Sequence, residues 1–233
     1  LKRVEAIAAK GLTAKVQVAP RPIGVILGFQ ATFHPFMGFP GYKEVSHLPL
    51  AERVKALRDP ERRARILSER HEPVAGDGSM LPKLADDMLA QVDMLSMRMF
   101  RLGDPPDYEP TLETSLFAES HRKGIKPLAA IYDALLENEG KALLYFPLYN
   151  YTGMNLDVVH EMLTHPLAIP GLSDGGAHVG TVCDASFPTF MLSYWGRDRP
   201  RDRLPLETLV QMQTQRTSQP LGLHDRGVIA VGK

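Results

Sequence analysis

The order of apolar and polar positions along the 233 residues predicts helices and strands in alternation. Apolar residues recur at helical spacing in residues 1–10, and a strand-like run in residues 12–19 stops at Pro20-Arg21-Pro22. The pattern returns later, where a helical pattern over 154–163 precedes the apolar run 167–170. A helix followed by a buried strand, found twice, indicates an α/β fold.

The stretch between these two units is predicted to be mainly helical. Its first part, residues 23–42, is apolar and aromatic, and it is expected either to pack in a core or to line the mouth of a pocket. Helical patterns with recognisable start and stop signals then follow over 50–57, 59–70, 110–121 and 126–136. A further strand is predicted over 142–148.

The last third of the chain has a weaker pattern. Residues 190–195 are predicted as an aromatic helix or a short strand, and 206–218 as one helix. Residues 197–203 alternate in charge and are expected to form a solvent-facing turn. A short strand is predicted over 228–230.

Polar and charged residues that could bind a ligand or catalyse a reaction follow both strand-like runs, 12–19 and 167–170. The run 167–170 leads into Gly171-Leu-Ser-Asp-Gly-Gly-Ala-His178, where glycines after Asp174 permit a tight turn and leave room for a ligand. An ordinary turn capped by Asp174 is the alternative. Arg21 stands between two prolines just past the first run, and its guanidinium suits a carboxylate or phosphate; a surface ion pair is the alternative.

Charge and cysteine content narrow the class of partner. Lys plus Arg and Asp plus Glu are both 27, so nothing in the net charge favours nucleic acid or an anionic membrane. The lone cysteine, Cys183, excludes an internal disulfide and fits a cytoplasmic location. No apolar run reaches the roughly 18–20 residues of a membrane span. We therefore expect no nucleic-acid or membrane partner.

Three segments together resemble metal-dependent amidohydrolases. Pro166-Leu-Ala-Ile-Pro-Gly-Leu-Ser-Asp-Gly-Gly-Ala-His178 is similar to the eighth-strand acid motif of that superfamily, and residues 142–163 are similar to the strand and helix before it. Residues 217–233 resemble the stretch that leads from the last barrel helix into a small β-domain. The subgroup that looks most similar is the D-aminoacylase (N-acyl-D-amino-acid deacylase) branch.

The resemblance implies the C-terminal portion of a (β/α)8 TIM-type barrel. It assigns 23–140 to a long, largely helical insertion with a barrel-mouth segment, 141–223 to the last barrel strands and helices, and 224–233 to the return toward the β-domain. Residues 16–20 would then be strand 7, while the place of 142–149 in the strand count stays open. Both chain ends are expected to be cut from a longer protein.

The resemblance also implies hydrolysis of an amide C–N bond in a small molecule. Zinc or another divalent metal would be held mostly by residues absent from this chain, because no His-x-His pair occurs in it. Asp174 matches the family's acid, and it is expected to contact the metal or its water and to act as general base. Ser173 and His178 are candidate substrate contacts; a structural role is the alternative for His178.

Two departures from the family's pattern bear on the substrate. D-aminoacylases carry a His-Pro-Arg segment after the acid, whose Arg grips the substrate carboxylate, whereas this chain has Asp184-Ala185-Ser186. The family's Tyr-Pro-Tyr of strand 7 reads Ala19-Pro20-Arg21, so Arg21 is hypothesised to supply the missing cationic contact.

Two alternatives to an active hydrolase stay open. One is an inactive relative or fragment that serves as a binding or assembly module, and the isolated chain is itself expected to be inactive. The other is a phosphate or nucleotide binder that uses Gly175-Gly176, although no phosphate-loop pattern is present. A homo-oligomer is an open possibility for either function.

Overall fold

The computed structural model describes residues 1–76, 83–173 and 184–233. These residues form two compact units, each with its own core. The described residues of the first unit are 1–23, 148–173 and 184–233, and those of the second are 24–76 and 83–147.

The described strands are β1 (Val16–Val18), β2 (Ile23–Leu27), β3 (Phe100–Arg101), β4 (Leu144–Tyr149) and β5 (Ala168–Pro170). The described α-helices are α1 (Lys2–Ala8), α2 (Pro40–Lys43), α3 (Leu50–Leu57), α4 (Pro60–Ser68), α5 (Lys83–Leu89), α6 (Val92–Leu95), α7 (Leu116–Lys123), α8 (Pro127–Leu135), α9 (Glu137–Gly140), α10 (Asp157–Thr164), α11 (Phe187–Phe190), α12 (Leu206–Gln213) and α13 (Gln215–Ser218). A π-helix, Met191–Asp198, continues α11. Short 3-10 turns span Ser96–Arg98, Leu112–Thr114, Asp184–Ser186 and Gln219–Leu221.

A parallel strand pair lies at the centre of the first unit. β1 pairs with β5 so that Val16 lies opposite Ala168 and Val18 opposite Pro170. The backbone N–H of Gly171 extends the ladder by donating to the carbonyl of Val18 over 3.0 Å. Both predicted strands are thereby confirmed, and because they are parallel their carboxyl ends meet at one edge.

Helices α10, α12 and α13 contact β5 and cover the pair. Val18, Ala168 and Leu209 are buried in this core. Arg216 on α13 donates from Nη2 to the carbonyls of His165 and Ala168, over 2.8 Å each. One guanidinium therefore satisfies two carbonyl groups at the start of β5 and ties it to the last helix.

The second unit is mostly helical and also contains a three-stranded sheet. The strand order is β2-β4-β3, and β3 runs antiparallel to β4 with Phe100 opposite Tyr145. Neither β2 nor β3 is predicted by the sequence pattern. The strand predicted over 142–148 is confirmed as β4, and it pairs with β2 and β3.

The predicted start of α4 and the predicted end of α7 are confirmed, whereas the helix predicted from residue 110 begins at Leu116 instead. Asp59 caps α4, accepting from the backbone N–H of Arg62 over 2.8 Å, and Pro60 occupies the first turn. Ser115 caps α7 in the same way, and Gly124 ends that helix in the left-handed conformation. These residues set the ends of the helices through contacts with residues close in sequence, so the sequence pattern can predict them.

Other predictions differ from the structure. Met154 has a φ of +54°, so the helix predicted from 154 begins at Asp157 instead. The helix predicted over 206–218 is split at Thr214, where φ is −119° and ψ is −84°. The strand predicted over 228–230 is wrong: these residues are largely exposed and belong to no strand, since no neighbouring strand hydrogen-bonds to them in the described part of the chain.

The α/β class is confirmed. Within the described ranges the strands form one parallel pair and one three-stranded sheet, and a closed barrel is not seen there. No helix in those ranges is long and apolar enough to cross a membrane.

Candidate functional site

A cavity of about 150 Å³ lies in the first unit, at the carboxyl ends of β1 and β5. Pro20, two residues past β1, forms part of its wall, and so do Pro170, Gly171 and Ser173 at the end of β5. Parallel α/β sheets place their chemistry at this edge, because several strand ends open there into loops. The cavity is therefore the part of the first unit best placed to hold a ligand.

The other described wall residues come from helices, with Pro188 beside the residues named next. Phe187 and Met191 come from the helix that begins with α11, and Gln213 and Thr217 come from α12 and α13. Phe187 and Met191 are four apart on one continuous helical segment and lie on one face of it, whereas Gln213 and Thr217 come from two helices that meet at Thr214. Phe187 is 2% exposed and Met191 1% exposed, so the apolar side of the cavity is well recessed.

The backbone turns sharply between the strand ladder and Ser173. The ladder ends with the Gly171 hydrogen bond, and Leu172 then takes a φ of +63°. This left-handed conformation costs a leucine about 1–2 kcal/mol. The turn leaves the Leu172 side chain exposed and Ser173 in the cavity wall. Asp174 and His178 lie outside the described residues.

Arg21 lies over two aromatic rings. Its guanidinium carbon is 4.8 Å from the ring centroid of Phe187 and 5.9 Å from that of Phe190. Cation–π contacts of this kind stabilise a guanidinium against aromatic rings. Phe187 also lines the cavity, so Arg21 and Ser173 are brought to the same region through one ring.

Trp195 holds the end of β1, and it is not among the residues that the sequence pattern singles out. Its indole is fully buried, and Nε1 donates to the carbonyl of Pro20 over 2.7 Å. The bond joins residues 175 positions apart, so no local signal reports it. It fixes the backbone immediately before Arg21.

Arg199 supports Trp195 from the other side. Its guanidinium carbon lies 4.8 Å from the indole centroid, and Nη2 donates to Asp157 Oδ1 over 2.8 Å. The hydrogen bond from Arg199 is the main cause of the lowered pKa of Asp157. The expectation that residues 197–203 all face solvent is wrong at Arg199, whose side chain is completely buried. Stacking on the indole and pairing with Asp157 compensate for that burial.

The zinc site implied by the sequence resemblance cannot be assembled from the described residues. Within 1–76, 83–173 and 184–233, no three His, Cys, Asp or Glu side chains are grouped so as to hold a metal. The described donors alone therefore do not fit the metal. Asp174 lies outside those ranges.

The chain matches the model of the amidohydrolase family over residues 7–233. No protein of curated function matches it, and no solved structure does.

Proposed function

Because this chain belongs to the amidohydrolase family, we propose that it hydrolyses an amide C–N bond of a small molecule. Membership of the family indicates a hydrolase in general. The observation that carries the finer proposal is the parallel pairing of β1 with β5, which brings Arg21 and the start of the acid motif to one edge. We further propose that β1 and β5 are neighbouring strands of a TIM-type barrel.

Asp174 is proposed as the general base. Its carboxylate takes a proton from the attacking water as the water oxygen bonds to the amide carbon. The same proton then passes to the nitrogen as the C–N bond breaks, which yields a carboxylic acid and an amine. Proton transfer by a positioned side chain contributes about 10²–10⁴-fold to rate. The ladder bond at Gly171 supports this role, since it holds the backbone that leads to Asp174.

Zinc or another divalent metal is the proposed cofactor, with Asp174 as one ligand. Such an ion polarises a carbonyl and lowers the pKa of water. The described residues do not supply a donor set, so the proposal depends on the resemblance and on Asp174. Metal content of the purified full-length protein tests it: stoichiometric zinc that falls in Asp174→Asn supports it, and a metal-free active enzyme contradicts it.

Arg21 is proposed to bind the carboxylate of an N-acyl amino acid, which would place the enzyme in the D-aminoacylase branch. The contact with Phe187 supports this role, because it places the charge of Arg21 beside the cavity that Phe187 lines. Ser173 in the cavity wall and His178 are proposed as further substrate contacts. The cytoplasmic location and a homo-oligomer stay predictions.

The test of Asp174 compares Asp174→Asn with wild type in the full-length protein, on N-acetyl amino acids of both hands. We expect kcat to fall by about 10²–10⁴-fold. Asp198→Asn is the matched control, since Asp198 is half-exposed and pairs only with the neighbouring Arg197 among its described contacts. Wild-type rates in Asp174→Asn refute the general-base role. An inactive wild type on every substrate favours the binding-module alternative.

The test of Arg21 separates binding from chemistry. Arg21→Gln is expected to raise KM for N-acetyl amino acids by about 10–100-fold and to leave KM for the corresponding amides unchanged, because a hydrogen-bonded charge pair contributes about 1.5–3 kcal/mol. Arg197→Gln, at a largely exposed position, is the control. An equal KM change for acids and amides contradicts the carboxylate contact.

A further inference from the structure

We propose that the cavity at the ends of β1 and β5 is a specificity pocket for the side chain of the substrate, and that the side chain it takes is a single aromatic ring. The inference rests on the proposed function and names its substrate class: N-acyl aromatic amino acids. The volume of about 150 Å³ sets the size, because an engineered apolar cavity of about 150 Å³ holds one benzene molecule.

The apolar half of the wall suits a ring. Phe187 and Met191 lie on one helix face and are almost fully buried, and Pro20 and Pro170 close the side formed by the strand ends. An aromatic ring and a thioether both pack favourably against a bound ring. Each of these four side chains is held by a helix or by a strand end, so the pocket is largely preformed.

The opposite side of the wall is polar and can satisfy one hydroxyl group. Thr217 Oγ1 donates to the carbonyl of Thr214 over 3.0 Å, so its oxygen can still accept a hydrogen bond. Gln213 adds an amide that can both donate and accept. A phenol ring therefore matches the wall better than a plain hydrocarbon of the same size.

The position of the cavity identifies which part of the substrate enters it. Phe187 lines the cavity and also lies 4.8 Å from the Arg21 guanidinium carbon. In an amino acid the carboxylate and the side chain are bonded to the same α-carbon. A substrate whose carboxylate binds Arg21 would therefore place its side chain near Phe187. Ser173, on another part of the wall, is joined directly to Asp174. The position of Arg21 favours the amino-acid side chain over the acyl group as the occupant, and the Ser173 link places that occupant near the amide to be hydrolysed.

The activity test uses two substrates of the full-length enzyme, N-acetylphenylalanine and N-acetyl-naphthylalanine, in both hands. Wild type is expected to prefer the phenyl substrate by about tenfold or more in kcat/KM, since a pocket discriminates by roughly 10–200-fold even for one methylene. Met191→Ala shortens a wall residue and is expected to bring the ratio near one. Met212→Ala is the matched control, because Met212 is also 1% exposed but is not part of the cavity wall.

An unchanged ratio in Met191→Ala, or an equal change in Met212→Ala, overturns the inference. If the enzyme still hydrolyses the N-acetyl substrates when either of these results is found, the proposed function stands although the pocket inference fails. The two proposals can therefore fail separately.

A binding test does not depend on hydrolysis. Saturation-transfer NMR of full-length Asp174→Asn is expected to show phenol bound, with the signal lost in Thr217→Leu, which fills the cavity, and kept in Thr217→Ser, which does not. Binding that follows this pattern, together with a wild-type protein that hydrolyses none of the N-acetyl amino acids, sustains the pocket and contradicts the proposed function. Phenol that fails to bind, or that binds equally well to Thr217→Leu, overturns the pocket.

Discussion

His34 lies inside an aromatic cluster of the second unit and is 4% exposed. Its Nδ1 accepts from the backbone N–H of Phe36 over 3.2 Å, so the ring proton is on Nε2, which donates to Tyr42 Oη over 2.9 Å. Arg53 Nη1 donates to the same oxygen over 2.9 Å. A second proton on His34 would have to take the place of the Phe36 hydrogen bond. It would also put a positive charge in an apolar site near Arg53.

These surroundings make stability depend on pH. Burial first, and the Arg53 charge second, lower the pKa of His34 from 6.5 to about 3. Between pH 6.5 and about pH 3, His34 is protonated in the unfolded chain but stays neutral in the folded chain. The contribution of neutral His34 to the free energy of unfolding is therefore fully present above pH 6.5 and is lost as the pH falls toward 3. From pH 7 to pH 5 the free energy of unfolding should fall by about 2 kcal/mol through this one group.

Urea unfolding of wild type and His34→Gln at pH 7 and pH 5 measures the effect. Glutamine keeps an N–H donor but does not titrate, so the variant should lose about 2 kcal/mol less than wild type over that interval. Contributions from carboxylates are common to both proteins and cancel in the difference. His47→Gln, at an exposed position, should behave like wild type. Equal losses in wild type and His34→Gln would refute the argument, because other groups would then be taking up the protons.

Three further predictions follow from close contacts. Gly24→Ala should lower the free energy of unfolding, measured in urea, by about 1–3 kcal/mol, because the new Cβ would lie 2.7 Å from a backbone carbonyl oxygen. Gly153→Ala is the control and should change the free energy of unfolding little, because no neighbour lies closer than 3.6 Å to its Cβ. Trp195→Phe should cost about 1–3 kcal/mol through the unsatisfied carbonyl of Pro20, and an unchanged denaturation midpoint would contradict that bond. Arg199→Ala should cost about 3 kcal/mol or more, because a fully buried, paired side chain is removed; a loss below about 1 kcal/mol, typical of surface ion pairs, would show that the pairing contributes little.

Much of the fold follows from local signals in the sequence. Asp59 with Pro60, and Gly124, bound their helices through hydrogen bonds or backbone angles within a few residues. The run 168–170 is apolar over its whole length, as strands buried in a parallel sheet are, and the run 16–18 carries two β-branched valines on either side of Gln17. These features need no distant partner, so the pattern of residue types is enough to predict them.

Features that depend on distant partners were missed or wrongly predicted. β3 is two residues long and exists through its pairing with β4. Residues 228–230 have the composition of a strand, yet they form none among the described residues because no other strand lies beside them. Arg199 stands in a run that alternates in charge, and its burial depends on Asp157 and Trp195.

The sequence by itself determined the α/β class, the start of α4, the end of α7 and the two central strands, and it suggested the candidate roles of Arg21 and of the acid motif that begins at Gly171. It could do so because capping, periodicity and motif spacing depend only on residues that are close together in the sequence. Only the tertiary structure decided that β1 lies parallel to β5, that Phe187 is shared between Arg21 and a cavity of about 150 Å³, and that Trp195 holds the end of β1. Each of these contacts joins residues more than 150 positions apart, where the packing of the whole unit, and not local preference, selects the partner.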